Sequence, residues 1–121
     1  MRISAAGPAT TQQVWERFTR TDLWPTWAPQ LRRVTCPDSV ITAGSRGTAH
    51  GPALLRIPFE VLVVDRDELR WVWRVGRPLG VTMEHGVDKV PEGARAWVDL
   101  PIALAPYAPL AHLALRRLVR R

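Results

Sequence analysis

The stretch Leu69-Arg70-Trp71-Val72-Trp73-Arg74-Val75 decides how the chain is read, because its side chains change character at every second position. Leu69, Trp71, Trp73 and Val75 share one face of an extended strand and Arg70, Val72 and Arg74 the other, since successive Cβ atoms of a strand point to opposite sides. Each tryptophan ring has on the order of 150–250 Å² to bury. The Trp face is therefore predicted to look into the core or into a cavity.

Outward from this strand the period of two continues. Residues 31–35, 46–51, 55–64, 80–90 and 94–100 read as further strands, and a short apolar strand is expected at 2–5. Within 80–90, Val81, Met83, His85 and Val87 form one row, and Thr82, Glu84, Gly86 and Asp88 point the other way. His85 is the polar member of an apolar row, and Glu84 cannot stand beside it. Within 55–64 the alternation sets Arg56, Pro58, Glu60, Leu62 and Val64 against Ile57, Phe59, Val61 and Val63, which places Glu60 outside. The joints Pro37-Asp38-Ser39, Ala43-Gly44-Ser45, Asp65-Arg66-Asp67, Gly76-Arg77-Pro78 and Pro91-Glu92-Gly93 are turn formers, so successive strands are expected as antiparallel neighbours.

Helical spacing appears in three places. After Pro8, with Thr10 or Thr11 as N-cap, Val14, Trp15 and Phe18 mark the buried face of a first helix. Asp22-Leu23-Trp24-Pro25-Thr26-Trp27 reads as a short helical turn that Asp22 caps and that Pro25 and Pro29 limit. Residues 107–121 carry an apolar stripe, Leu110, Ala111, Ala114, Leu115 and Leu118, beside a basic face. At about 1.5 Å per residue this helix would be ~22 Å long. A one-sided sheet must cover its apolar face, and this helix is the large element available to do so. The fold class is α+β, a helix-grip fold: a curved antiparallel sheet of six to seven strands around a long C-terminal helix, with two short helices near the N-terminus.

Length and composition bound the function. A chain of 121 residues with 46% hydrophobic content supports one core and hence one domain, 1–121. The first ten residues hold no continuous apolar segment, and no run of apolar residues is long enough to span a bilayer, so the chain reads as soluble and cytoplasmic. Cys36 is alone, which leaves no intramolecular disulfide, and His50, His85 and His112 are too dispersed for a metal-ligand pattern. The net charge of +6 comes from sixteen arginines and one lysine, Lys89. That bias fits the codon usage of a GC-rich genome better than a phosphate-binding face. Arg116, Arg117, Arg120 and Arg121 also complement a helix C-terminus. No nucleic-acid-binding motif accompanies the charge.

The order of elements and particular residues resemble the START-like SRPBCC superfamily, in its polyketide cyclase/dehydrase branch. The resemblance is carried by Ile3-Ser4-Ala5 leading to Val14-Trp15, by Trp24-Pro25-Thr26-Trp27 followed by Leu31-Arg32-Arg33-Val34, and by Pro58-Phe59-Glu60-Val61. It continues through Leu69 to Val75 and His85-Gly86-Val87, and ends on Pro106-Tyr107-Ala108-Pro109-Leu110 leading into Leu115-Arg116-Arg117-Leu118. It spans nearly the whole chain. It implies a cavity between sheet and terminal helix, in a family whose members range from cyclases and dehydratases to carriers of lipids and other hydrophobes. The first strand looks shorter than the family's, which would leave a sheet margin open to pairing and allow a homodimer as well as a monomer.

The site candidates follow from the apolar face. Ligand contact is expected from Trp27, Phe59, Trp71, Trp73, Met83, His85, Tyr107, Leu110 and Ala114. His85 and Tyr107 are the candidate acid-base pair, with a hydrogen-bonded core histidine and a packed ring as their structural alternatives. No Gly-rich phosphate loop, nucleophile elbow, Cys-His pair or carboxylate cluster occurs, so no cofactor is expected. Three functions remain: binding of a hydrophobic small molecule, cofactor-free cyclisation or dehydration in the same cavity, and an interaction module using the basic terminal helix. The expected partner is a hydrophobic small molecule, without nucleic acid and without stable membrane insertion.

Overall fold

The computed structural model describes residues 1–121. Seven strands form one antiparallel sheet: β1 (Arg2–Gly7), β2 (Arg33–Thr35), β3 (Arg46–His50), β4 (Arg56–Asp65), β5 (Arg70–Val75), β6 (Val81–Val90) and β7 (Gly93–Asp99). Their spatial order is β1-β7-β6-β5-β4-β3-β2. Strands β2 to β7 are a meander, each hairpin closing on its sequence neighbour, and β1 adds to the far side of β7. The sheet curls into a half-barrel, and its concave face is covered by α1 (Thr11–Thr19), α2 (Trp24–Trp27) and α3 (Ala108–Leu118). This is the helix-grip fold expected from the order of elements.

Of the two candidate caps, Thr10 is the N-cap of α1 and Thr11 its first residue. The Thr10 hydroxyl accepts the Gln13 amide at 3.1 Å and the Gln13 side chain accepts the Thr10 amide at 2.9 Å, a capping box that satisfies two otherwise orphaned donors. Its buried face carries Val14, Trp15, Phe18 and Thr19. At the other side of the fold, Arg17 donates to the carbonyls of Leu118 (2.8 Å) and Arg120, so α1 holds the free C-terminal end of α3.

Several boundaries differ from the sequence reading, each for a local reason. Strand β1 runs two residues past the expected 2–5, pairing with β7 from Arg2↔Asp99 to Gly7↔Ala94. Gly7 permits this, because a Cβ there would lie 2.6 Å from the Val119 carbonyl oxygen. As the outermost strand on that side, β1 leaves its other edge unpaired within the sheet. In β4 a bulge between Val61 and Val63 inserts an extra residue. The alternation flips beyond it, so Val63 is exposed and Val64 packs on the core, opposite to the simple period of two. Asp22 caps no helix and instead pairs with Arg20 at 2.8 Å.

The terminal helix is also shorter than expected. Residues Ile102–Tyr107 form a 3₁₀ segment containing Pro106, and the α-helix proper is 11 residues, about 16 Å at 1.5 Å per residue. Ala111, Ala114, Leu115 and Leu118 are buried and Leu110 half-buried, so the apolar stripe closes the core. An interaction module that needs this stripe free loses its surface.

The outer face of the sheet explains one tryptophan that does not enter the core. Trp97 lies across Gly86 of the neighbouring strand, where a Cβ would come within 2.1 Å of its ring. Its other side is roofed by the guanidinium groups of Arg2, 3.8 Å from the ring centroid, and Arg70 at 5.0 Å. Glu84 is on this face too, 3.7 Å from Arg70, and Glu60 bridges Arg74 (3.0 Å) and Arg46 (3.4 Å). Both carboxylates point away from the concave face, as alternation requires.

Candidate functional site

Between the concave face and the helices lies a cavity of about 320 Å³, and nineteen of the twenty-one residues that line it are hydrophobic. Its floor comes from β5 and β6, where Trp71, Trp73, Met83 and His85 point inward from adjacent strands in direct register, Trp71 opposite His85 and Trp73 opposite Met83. Its wall comes from α2 and α3. Ala111 and Ala114 present only methyl groups on that side, which leaves volume between helix and sheet.

Two of the lining indoles are anchored by hydrogen bonds and the rest by ring contacts. Trp24 donates its indole N–H to the Phe18 carbonyl at 2.8 Å and Trp27 to the Arg17 carbonyl at 3.0 Å, so the last turn of α1 anchors α2. Trp24 stacks on Trp71 with 23° between planes, and Trp71 stacks on His85 with 9° between planes and 3.9 Å between centroids. Phe18 and Trp73 meet the His85 ring edge-on at 5.7 Å. Such offset-stacked and T-shaped contacts add to the area buried and make the floor rigid.

His85 is 7% exposed. Burial drives its pKa from 6.5 down to about 3, with the Trp71 backbone and the Asp99 charge opposing weakly. The imidazole is neutral at physiological pH, and its Nδ1 is buried with no hydrogen-bond partner. Tyr107, where the 3₁₀ segment meets α3, accepts a hydrogen bond from the Gln30 amide on its hydroxyl. Burial raises the phenol's pKa, so it stays protonated. Gln30 keeps a buried, unpartnered carbonyl oxygen beside this pair.

Of the nine residues expected to meet a ligand, Trp27, Trp71, Trp73, Met83, His85, Tyr107 and Ala114 line the cavity. Phe59 and Leu110 do not. Phe59 is buried behind the floor against Trp24 and Trp73, with ring centroids 5.3 and 5.5 Å away. Leu110 falls a step off the helix face on which Ala111 and Ala114 look inward. His85 and Tyr107 share the cavity without a hydrogen bond between them. Sequence reasoning missed Gln30, which sits in the irregular segment between α2 and β2 where no periodicity marks a side chain as inward. Trp24 was also missed as a lining residue, although the Trp24-Pro25-Thr26-Trp27 stretch was the available signal.

The helix-grip architecture read from the structure is matched at the level of sequence. Residues 2–121 match the family described as polyketide cyclase/dehydrase and lipid transport, and the chain belongs to that family. Among solved structures it is similar to a protein of Nitrosospira multiformis (14% identity, 98% of this chain and 92% of that chain covered, TM-score 0.75). A Mesorhizobium loti protein is similar to the same degree (13%, 98% and 93%, TM-score 0.74). So is DynU16, a protein of the dynemicin biosynthetic locus (18%, 98% of this chain but 45% of that chain, TM-score 0.75). At these identities the likeness is one of fold. No curated protein sequence matches the chain significantly. No helix is long and apolar enough to cross a membrane.

Proposed function

We propose that the chain binds one hydrophobic small molecule, of polyketide, lipid or aromatic type, in the cavity between sheet and α3. The observation that carries this is the cavity itself: about 320 Å³ of space whose wall is apolar except for His85, Gln30 and the Tyr107 hydroxyl. That volume lies at the lower end of the ~300–1,000 Å³ found for small-molecule sites, and a few polar groups in an apolar wall are what orient such ligands. Stacked indoles favour flat, conjugated or polycyclic ligands over flexible chains. The origin of DynU16 in a biosynthetic locus and the family's description both support a ligand of this class.

A second reading, cyclisation or dehydration of a polyketide, is favoured by the neutral His85 imidazole and the protonated Tyr107 phenol on one cavity. With its pKa near 3 the imidazole is a weak base, so in this reading its unpartnered Nδ1 would accept a hydrogen bond from a substrate hydroxyl or enol and the phenol would donate one to a substrate carbonyl, holding the chain for ring closure. A thermal-shift screen against polycyclic aromatics, fatty acids, sterols and polyketide intermediates tests the binding reading, since a ligand of the folded state raises the melting temperature. Stabilisation by at least one class is expected; none by any class would reject it. Product formation that disappears in His85→Ala, with the fold retained, would move the assignment to the enzyme.

A further inference from the structure

The end of the sheet beside the lining residues Ile57, Val75, Val81 and Leu104 carries a second feature, independent of what the cavity holds. In this antiparallel ladder the β3–β4 loop, the β5–β6 loop and the 3₁₀ segment after β7 all lie at one end, because Val75 pairs with Val81, His50 with Arg56, and β7 leaves the sheet at Asp99. Each of the three presents large aliphatic surface to solvent: Leu54 is 93% exposed with Leu55 beside it at 51%, Leu79 89% and Ile102 82%. Leu54 is held there by the backbone. Leu55 donates to the Pro52 carbonyl and Gly51 to the Leu55 carbonyl, and between them Ala53 and Leu54 adopt φ of 55° and 67°, a left-handed conformation disfavoured for residues with a Cβ. The lining residues Ile57, Val75, Val81 and Leu104 follow directly inward from these loops.

The charge at this end has one sign. Residues 28–37, 48–58, 75–83 and 100–107 contain no aspartate or glutamate and supply Arg32, Arg33, Arg56 and Arg77, all exposed and none in an ion pair. Burial, and then the charges of Arg33 and Arg56, hold the His50 imidazole below its ordinary pKa, so these cations act on one place. Asp99, where β7 ends, is held by Arg2 at 2.8 Å. Isolated exposed leucines are ordinary, but exposed aliphatic side chains on three loop tips at one end of the sheet, among unpaired arginines, match the two components of an interfacial lipid site: aliphatic anchors and cations for headgroups.

We propose that this rim docks reversibly on an anionic lipid bilayer, with Leu54, Leu79 and Ile102 entering the headgroup region and Arg32, Arg33, Arg56 and Arg77 meeting the phosphates. The docked orientation would turn this end of the cavity lining towards the membrane, where a hydrophobic ligand is concentrated. The competing cations, Arg116, Arg117, Arg120 and Arg121, lie at the opposite end of the sheet, where α3 terminates beside Gly7.

Sedimentation of the whole chain with vesicles of phosphatidylcholine alone, or of equal parts phosphatidylcholine and phosphatidylglycerol, tests this, with Leu54→Ser/Leu79→Ser/Ile102→Ser and Arg116→Ser/Arg120→Ser for comparison. The expected result is binding to the mixed vesicles that weakens with salt, falls about tenfold or more in the triple variant and is unchanged in the arginine variant. The three changes are at exposed positions, and circular dichroism confirms that the fold is kept. No binding to mixed vesicles would overturn the proposal, as would binding lost only with Arg116 and Arg120. A wild-type dimer that the triple variant dissolves, without vesicle binding, would assign the rim to a second copy of the chain instead. Ligand-induced stabilisation in detergent-free buffer should be equal in wild type and triple variant, which separates this result from the cavity's own function.

Discussion

The His85 imidazole lies flat on the Trp71 ring, 3.9 Å between centroids and 9° between planes, at a position where the two strands place them directly opposite each other. A neutral ring is a good stacking partner for an indole in a dry site, whereas an imidazolium there would need solvation that the surrounding Phe18 and Trp73 deny it. The stack therefore couples the charge state of His85 to the integrity of the cavity floor.

That coupling sets a pH dependence. The folded pKa is lowered from 6.5 to about 3. Below pH 6.5 the unfolded chain binds a proton that the folded chain refuses. The contribution of the neutral ring is complete above about pH 6.5 and is lost as the pH falls towards 3, with a limiting slope of about 1.4 kcal/mol per pH unit. His50 is lowered as well and acts in the same sense, so the comparison is made in a His50→Gln background. Urea unfolding between pH 6.5 and 4.5 should show the slope for His85 and a flatter profile for His85→Phe; equal profiles would mean that His85 is protonated in the folded chain.

Gly86 and Trp97 give a prediction on the opposite face. A methyl group at Gly86 would sit 2.1 Å from the Trp97 ring, forcing the indole off the sheet and out from under Arg2. Gly86→Ala should destabilise by about 1–3 kcal/mol in denaturant unfolding, the range for overpacking a close-packed site. A change smaller than the scatter between replicates would contradict the packing described.

The Gln30–Tyr107 pair should behave as a unit. Tyr107→Phe leaves the Gln30 amide buried without its partner and is expected to destabilise by about 1–3 kcal/mol. In the double variant Gln30→Leu/Tyr107→Phe both polar groups are gone, and most of that loss should be recovered. Additive losses in a double-mutant cycle would show that the two groups do not depend on one another.

Thr10→Ala removes half of the capping box and should lower stability by about 0.5–2 kcal/mol, while Thr10→Ser, which keeps the hydroxyl, should stay close to wild type. Equal effects of both variants would place the N-cap elsewhere.

Much of this architecture is legible in the sequence because alternation is a local signal. Leu69 to Val75 and Val81 to Val87 have side chains whose direction depends only on the pleat, so the Trp71-Trp73 face, the inward His85 and the outward Glu84 could all be assigned without tertiary information. The failures are places where a nonlocal contact decides. The bulge at Val61–Val63 depends on how β4 matches β5, and nothing in Val61-Leu62-Val63-Val64 announces it. The length of β1 depends on Gly7 meeting Val119, more than a hundred residues away. Phe59 alternates inward as expected, but only the placement of Trp24 determines that it lies behind the cavity floor. Gln30 is in the cavity wall through the irregular segment between α2 and β2, and irregular backbone has no period to read.

The central claim is that a single hydrophobic molecule occupies the space next to Ala114. The most direct measurement is a tryptophan-fluorescence titration with the best ligand from the thermal-shift screen, on wild type and on Ala114→Phe, which fills that space from α3 while keeping the helix. Trp24, Trp27, Trp71 and Trp73 all line the cavity and report its occupation. A signal that saturates at one ligand per chain in wild type and is lost in Ala114→Phe, with cooperative thermal unfolding retained, is the expected result. Equal saturation in both proteins would place the ligand elsewhere and contradict the assignment of this cavity.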